Sequence, residues 1–238
     1  MQDALAPLCQ EIEQAGWMLH YDVSTLLEAN WTGIPIVAAA LARVLLRRLP
    51  GNLRFFHDHL LVDTAAVSDA LGRGSGIFLG RDLRQGRAQA PLALFESEAG
   101  AVTAGIYPSV KRVSQLFAVE CSLYHDVSTL ITPQFHTIEN IRHHGRGLVD
   151  DIRTNAVTFG VSEATVGDLR AYLGAEADRT FVACNGVEWP WWYPVQAEND
   201  VDPGRLDRYL LVLGTLEPRK NLSRVFEMLA MFPEVLET

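Results

Sequence analysis

A strand, a glycine turn, two cations and a helix follow one another at residues 209–229, an order that binds phosphate groups. Tyr209–Leu213 is a short apolar run typical of a buried strand. The polar residues after it are Gly214, Thr215, Arg219, Lys220 and Asn221, the last of which is expected to cap the next helix. Free N–H groups at a helix start and an Arg side chain both bind phosphate oxygens. The segment therefore predicts a diphosphate site, with an ordinary strand–helix turn as the alternative.

Two other places put polar or flexible residues at the ends of predicted strands. His125 and Asp126 follow the apolar run Phe117–Tyr124, and Gly33 separates the strand Trp17–Val23 from a long helix. The carboxyl ends of parallel strands form the crevice in which α/β proteins bind ligands, and a glycine before a helix allows close approach. We predict that His125 donates a hydrogen bond to a sugar hydroxyl and that Asp126 orients it or accepts from the acceptor. A solvated surface pair and a plain loop are the alternatives.

The chain has seven histidines, which raises the question of a metal site. Those near one another in sequence are His57, His59, His136, His143 and His144. None of their spacings matches a zinc-protease motif or a facial triad, so we predict no metal. We expect instead a basic patch, solvated or facing an acceptor, that comprises Arg142, His143, His144 and Arg146.

The composition indicates a folded protein and excludes several classes. Of the 238 residues, 48% are hydrophobic, which suits a buried core, and the net charge of −9 argues against general nucleic-acid binding. The three cysteines lie far apart, as expected of buried thiols in a reducing compartment. No basic, apolar leader precedes the first predicted helix. We expect a cytoplasmic protein without a nucleic-acid partner, and peripheral contact with the inner face of the membrane stays an open alternative.

Alternating strands and helices predict an α/β fold with a parallel, Rossmann-like sheet flanked by helices. The predicted strands are Trp17–Val23, Asn52–His57, Leu92–Phe95, Phe117–Tyr124, Ala156–Val161 and Thr180–Ala183. The predicted helices are Asp3–Ala15, Ile34–Arg48, Thr64–Leu71, Phe135–Thr154 and Glu163–Leu173. Arg73–Ala90 reads as a mobile surface loop. We divide the chain into a Rossmann-like domain (1–188), a linker (189–207) and the start of a truncated second Rossmann-like domain (208–238).

Several segments resemble one enzyme family. The segment GTLEPRKNL (214–222) is similar to the opening of the nucleotide-sugar domain of family 4 glycosyltransferases, which have the two-domain GT-B fold. Segments similar to their acceptor-binding domain occur in the same order: YDVS (21–24), TGIP (32–35), LYHDVSTLITPQFHT (123–137), VTFGVSEATVGDLRAYLG (157–174) and NGV (185–187). The family's paired-glutamate motif is missing, and Thr215 stands where many members have an arginine.

The resemblance implies a retaining transfer of a hexose from a nucleotide diphosphate sugar to a saccharide or lipid-linked acceptor, as in bacterial surface polysaccharide synthesis. It implies that Lys220 and Arg219 hold the donor diphosphate, with Arg219 as the replacement for the missing arginine. It also places the Gly33 loop against the donor phosphates and acceptor, and His125 near the transferred sugar. No cofactor or metal is implied.

Two other functions stay open. A truncated relative could bind an acceptor or a partner without turnover, and a sugar-nucleotide epimerase could use the same scaffold. Because only one strand and one helix of the second domain are present, we expect the 238-residue chain alone to be inactive.

Overall fold

The computed structural model describes residues 6–92, 102–145, 147–186, 212, 214 and 218–233, except for the side chain of Arg219. The strands are β1 (Met18–Asp22), β2 (Leu53–His57), β3 (Leu60–Val62), β4 (Gln89–Pro91), β5 (Thr103–Tyr107), β6 (Val119–Tyr124), β7 (Val157–Gly160) and β8 (Thr180–Val182). The helices are α1 (Ala6–Gln14), α2 (Ile34–Arg48), α3 (Thr64–Arg73), α4 (Ile77–Arg84), α5 (Ser128–Ile131), α6 (Ile138–Gly145), α7 (Leu148–Thr154), α8 (Glu163–Leu173) and α9 (Leu222–Met231).

The strands form one sheet in the order β4-β3-β2-β1-β5-β6-β7-β8. Pairing is parallel from β2 through β8, and β3 and β4 are added antiparallel at one side. This confirms the predicted α/β class and the mostly parallel, Rossmann-like sheet. The chain leaves β1 towards β2 and later returns to its other side as β5, so the loops after β1 and β5 diverge. Ligands of such folds bind at this divergence.

Helices α2 and α8 begin and end where the sequence predicts. Helix α2 buries Ala38, Ala39 and Ala42, whose small side chains let it approach the sheet closely. The hydroxyl of Tyr21 on β1 donates to the carbonyl of Ala38 at 2.8 Å and so fixes this approach. Ser162 caps α8 by accepting a hydrogen bond from the backbone N–H of Thr165 at 3.1 Å.

Two segments differ from their predictions. The predicted surface loop at 73–90 contains α4, which buries Leu79 and Leu83 on one face although glycines flank it. The long helix predicted over Phe135–Thr154 is divided into α6 and α7 near Gly147, whose φ of 82° does not fit a helix. Of the strand predicted at 92–95, Leu92 follows β4, and the other residues lie outside the described ones. The linker and the division into domains stay predictions.

The central strand β5 is not among the predicted strands. Its sequence, TAGIY, contains Gly105, which lowers strand propensity. A Cβ at Gly105 would lie 2.4 Å from the ring of Phe117, so glycine here makes room for an aromatic side chain. Phe117 in turn stacks on His20 of β1, with 4.6 Å between ring centroids. Gly105 thus weakens the sequence signal for the strand and at the same time makes room for Phe117 to pack on the sheet.

A buried ion pair shapes the loop that follows β5. Lys111 donates to the carboxylate of Glu120 at 2.6 Å, and the two side chains are 0% and 2% exposed. The carboxylate also accepts from the hydroxyl of Tyr107 (3.0 Å) and from the backbone N–H groups of Gln115 (3.0 Å), Leu116 (2.8 Å) and Phe117 (3.3 Å). Glu120 therefore ties residues 107–117 to β6, and this loop lines the cavities described next.

Candidate functional site

A small pocket lies at the carboxyl edge of the sheet, at the ends of β5 and β6. It has a volume of about 120 Å³, and Ile34 at the start of α2 forms one wall. Its polar lining consists mainly of hydrogen-bonding side chains: Ser109, His125, Asp126, Ser128, His136 and His144. The structure thus brings His125 and Asp126 together with the beginning of α2, as the strand-end argument predicts. We call this cavity the His125 pocket.

Hydrogen bonds fix the tautomer of His125. Its Nε2 lies 3.0 Å from the carbonyl oxygen of Pro108, and because a carbonyl only accepts, Nε2 must carry a proton. Burial lowers the pKa of His125, although its bond to Pro108 and the charge of Asp126 act in the opposite direction. The ring is therefore neutral at pH 7, and Nδ1 keeps a lone pair that can accept a hydrogen bond. The predicted donating role is wrong for this tautomer, because Pro108 already takes the one ring proton. Asp126 is exposed and accepts from the backbone N–H (2.9 Å) and hydroxyl (2.6 Å) of Ser128.

Gly33 has the open backbone that a ligand-binding loop needs. Its φ of 56° and ψ of −113° lie in a region that residues with a Cβ rarely adopt. A Cβ built on it would meet nothing within 4 Å, so the space above the residue is free. The glycine is required by the backbone conformation, and the free space leaves room for a ligand next to the helix start.

The predicted basic patch does not form one surface. His144 lines the His125 pocket, whereas His143 lines a larger cleft of about 1170 Å³, which also contains Arg142. Their rings meet edge to face, with centroids 4.8 Å apart. Burial lowers the pKa of His144, and the neighbouring His143 lowers it further. Arg146 lies outside the described residues.

The predicted diphosphate segment is described only in part. Tyr209–Leu213, apart from Val212, and Thr215 lie outside the described residues, as does the side chain of Arg219. Pro218–Lys220 form a 3₁₀ turn before α9. Gly214 has a φ of 142°, and the aliphatic stem of Lys220 passes 3.7 Å from where a Cβ would lie. Lys220 therefore lies beside Gly214 in this turn.

The expected helix cap in this segment is wrong. Asn221 directly precedes α9, but it has the left-handed values φ 49° and ψ 42°, and its side chain makes no capping hydrogen bond to a backbone N–H of the helix. Its side-chain oxygen accepts from the hydroxyl of Ser223 at 3.3 Å instead. The left-handed backbone turns the side chain away from the N–H groups that it would have to cap.

A hydrogen-bonded series at the ends of β1 and β2 goes beyond the sequence predictions. Ser24 donates its hydroxyl to Asp22 at 2.6 Å, and the same oxygen lies 3.0 Å from Nδ1 of His57. Nε2 of His57 lies 3.5 Å from the carboxylate of Asp58, which accepts from Arg112 at 2.8 Å. Asp22 is 2% exposed, and its Oδ2 has no hydrogen-bond partner among the described residues. The sequence contains a signal for this series, because polar residues stand at the ends of both strands, Asp22 and Ser24 at β1 and His57 and Asp58 at β2. Only the parallel pairing of β1 and β2 brings these residues together.

Replacing Asp22 with Asn should change how stability depends on pH. Burial raises the pKa of Asp22 to about 6, well above its value in an unfolded chain, so the folded state favours the protonated form. The stabilisation from this group is complete below about pH 4 and is lost as the pH rises through 6, an effect of about 3 kcal/mol at most. Urea titrations from pH 4.5 to 7.5 should show the D22N variant gaining stability relative to wild type as the pH rises. A constant difference between the two proteins across this range would contradict the prediction.

Two further findings limit the kinds of site. In the described ranges, no group of three or more His, Cys, Asp and Glu side chains is placed to hold a metal ion. Nor does any described helix combine the length and hydropathy needed to cross a bilayer.

Comparisons with protein-family models, with curated proteins and with solved structures find no match to this chain.

Proposed function

We propose that this chain is the acceptor-binding part of a retaining glycosyltransferase, which moves a hexose from a nucleotide diphosphate sugar to a hydroxyl group of a saccharide or lipid-linked acceptor. The observation that carries the proposal is the His125 pocket, which joins His125, the start of α2 and the loop after β5 at the carboxyl edge. Three chain segments meet in this pocket: Ile34 of α2 supplies an apolar wall, and Ser109 and His125 supply polar groups.

The state of His125 suits recognition of a sugar. A neutral imidazole with its lone pair on Nδ1 can accept a hydrogen bond from a sugar hydroxyl, while Nε2–H stays bound to Pro108. The backbone of His125 is held as well, because its carbonyl oxygen accepts from the hydroxyl of Thr165 at 3.2 Å. A residue held by its ring and by its backbone loses little freedom on binding, which favours a defined orientation of the bound sugar.

In the proposed reaction the bond between the anomeric carbon and the diphosphate breaks as the acceptor oxygen bonds to that carbon. The leaving diphosphate takes the electron pair, and one of its phosphate oxygens takes the proton of the acceptor hydroxyl. The negative charge that grows on the diphosphate needs positive groups nearby. We assign this role to Lys220 and Arg219, assisted by the N–H groups beside Gly33. Loss of one such preorganised contact typically costs about 3 kcal/mol in the transition state.

Replacing His125 with Ala should lower transfer by the natural full-length gene product at least tenfold in kcat/KM, because the hydroxyl of the transferred sugar loses its acceptor. UDP-, GDP- and dTDP-hexoses with a set of saccharide acceptors provide the assay, and circular dichroism checks the fold. The matched control is His59→Ala, since His59 is an exposed histidine outside the His125 pocket.

Three results would overturn the proposal. Undiminished transfer by H125A would remove the assigned residue. Conversion of a donor sugar to its epimer without an acceptor would indicate an epimerase. Saccharide binding without product from any donor would indicate a binding domain.

A further inference from the structure

A second cavity, separate from the His125 pocket, lies between the β2–β3 hairpin and α4. Its volume is about 460 Å³, within the range of small-molecule sites. Leu27, Leu60 and Leu83 form an apolar part of its wall, and His57, Glu28 and Gln89 supply polar groups. A wall that combines apolar patches with hydrogen-bonding groups of both kinds suits a ligand that has both C–H faces and hydroxyl groups.

The hydrogen-bonded series behind His57 determines which ring nitrogen faces the cavity as an acceptor. A serine hydroxyl has one proton, and the 2.6 Å contact with Asp22 is the shorter of its two contacts, so that proton lies on the side of the carboxylate. The 3.0 Å contact between Ser24 and Nδ1 of His57 must then be a donation from Nδ1–H. Nε2 therefore holds the lone pair.

The charged groups around His57 keep this arrangement at neutral pH. Burial lowers the pKa of His57; the charge of Asp58 raises it, and that of Arg112 lowers it again. Asp58 lies 3.5 Å from Nε2, beyond an ordinary hydrogen bond, and is itself held by Arg112. Glu28 and Arg84 are the other charged residues on the cavity wall. His57 is therefore a neutral acceptor, and no described residue gives Nε2 a strong hydrogen-bond donor.

We infer that the cavity between the β2–β3 hairpin and α4 binds a saccharide, one of whose hydroxyl groups donates to Nε2 of His57. Asp22 and Ser24 act as positioning residues, because they hold the ring and fix its tautomer; Ser24 also lines the cavity, whereas Asp22 lies behind it. The same wall contains a second hydrogen-bond acceptor. Oε1 of Gln89 is buried and has no hydrogen-bond partner among the described residues. The leucine side chains supply the surface on which the C–H face of a sugar packs.

The choice of a saccharide as the ligand rests on the proposed function, and the position of the cavity agrees with an acceptor site. The Asp58–Arg112 pair lines both this cavity and the 1170 Å³ cleft, and Val110 lines both that cleft and the His125 pocket. The three cavities thus follow one another along the carboxyl edge of the sheet. A saccharide at His57 lies on the same edge as the residue assigned to the transferred sugar.

The first experiment observes His57 directly, without a ligand. Nitrogen-15 spectra of labelled histidine side chains at pH 7.5 should show His57 with the proton on Nδ1 and the lone pair on Nε2. Ser24→Ala removes the acceptor of that proton and should shift the ring towards the mixed tautomers of a free imidazole. A wild-type ring that is protonated on Nε2 would overturn the inference.

The second experiment adds saccharides to the full chain. Methyl hexosides, maltose and cellobiose at millimolar concentration are the probes, and at least one should shift the Nε2 resonance of His57. His57→Gln should weaken binding of that saccharide at least tenfold by calorimetry, and His59→Gln on the same hairpin should leave it unchanged. Absence of any shift at His57, or equal weakening by both variants, would contradict the site.

The outcome also separates this inference from the proposed function. Shifts at His125 alone, with His57 unmoved, would refute this site and leave the proposed transfer intact. Binding at His57, together with no transfer by the natural full-length gene product, would support this site and refute the transfer.

Discussion

Replacing Glu120 with Ala is expected to lower the free energy of unfolding by about 3–5 kcal/mol, because it leaves the ammonium group of Lys111 buried without a counter-charge. Burial favours the protonated form of Glu120, but the hydrogen bonds from Lys111 and from backbone N–H groups outweigh it and hold its pKa below the ordinary value. The carboxylate is therefore ionised. Its loss also removes the acceptor that three backbone N–H groups of the loop share.

A double variant separates the charge effect from damage to the loop. Glu120→Gln combined with Lys111→Met removes both charges while retaining an acceptor oxygen, and it should recover a large part of the stability that E120A loses. Urea denaturation monitored by circular dichroism measures all three proteins. If E120A unfolds within about 1 kcal/mol of wild type, the buried pair does not hold this loop.

Replacing Gly76 with Ala should destabilise the fold by at least about 3 kcal/mol, because the added Cβ has no room. It would lie 1.8 Å from the carbonyl oxygen of Leu26 and 2.7 Å from that of Glu28, and backbone atoms of this kind cannot turn aside. The loop after β1 and the start of α4 would have to separate, with loss of the 2.9 Å hydrogen bond from Gly76 N–H to Glu28. The wall of the cavity between the β2–β3 hairpin and α4 would move with them.

Gly72→Ala is the matched control. Gly72 lies in α3, and a Cβ there meets nothing within 4 Å, so alanine should be neutral or stabilise by about 0.5–1 kcal/mol. Thermal unfolding of both variants measures the difference. Similar melting temperatures for G76A and G72A would show that the contact between α4 and the loop after β1 is softer than this structure indicates.

Local sequence patterns predict much of the fold and only part of the site. Helix α2 was predicted in full because its apolar stretch is long and Gly33 marks its start. Strand β5 was missed because its glycine serves a distant aromatic ring, which a local pattern does not contain. The contact between hairpin residues and the loop after β5, such as Asp58 with Arg112, likewise depends on strand order, which single-segment patterns do not specify.

The candidate site shows the same limit. The strand-end rule placed His125 near the start of α2, since both lie at the carboxyl edge. It could not separate His143 from His144, because consecutive helix residues point in different directions and here line different cavities. The series from Asp22 to His57 joins side chains 35 positions apart, and only parallel pairing of β1 with β2 makes them neighbours.

The strand order also bears on how the chain acquires its structure. Apart from the β1–β5 ladder, strands β1 to β4 (up to residue 91) pair with one another, and so do strands β5 to β8 (from residue 103). Among the strands that the structure describes, that ladder alone joins the two halves of the sheet. Each half is consecutive in sequence, so the first can assemble during synthesis before the second leaves the ribosome. The last major step is then the docking of β5 on β1. That seam is also where the ligand crevice opens, so the crevice exists only once both halves have joined.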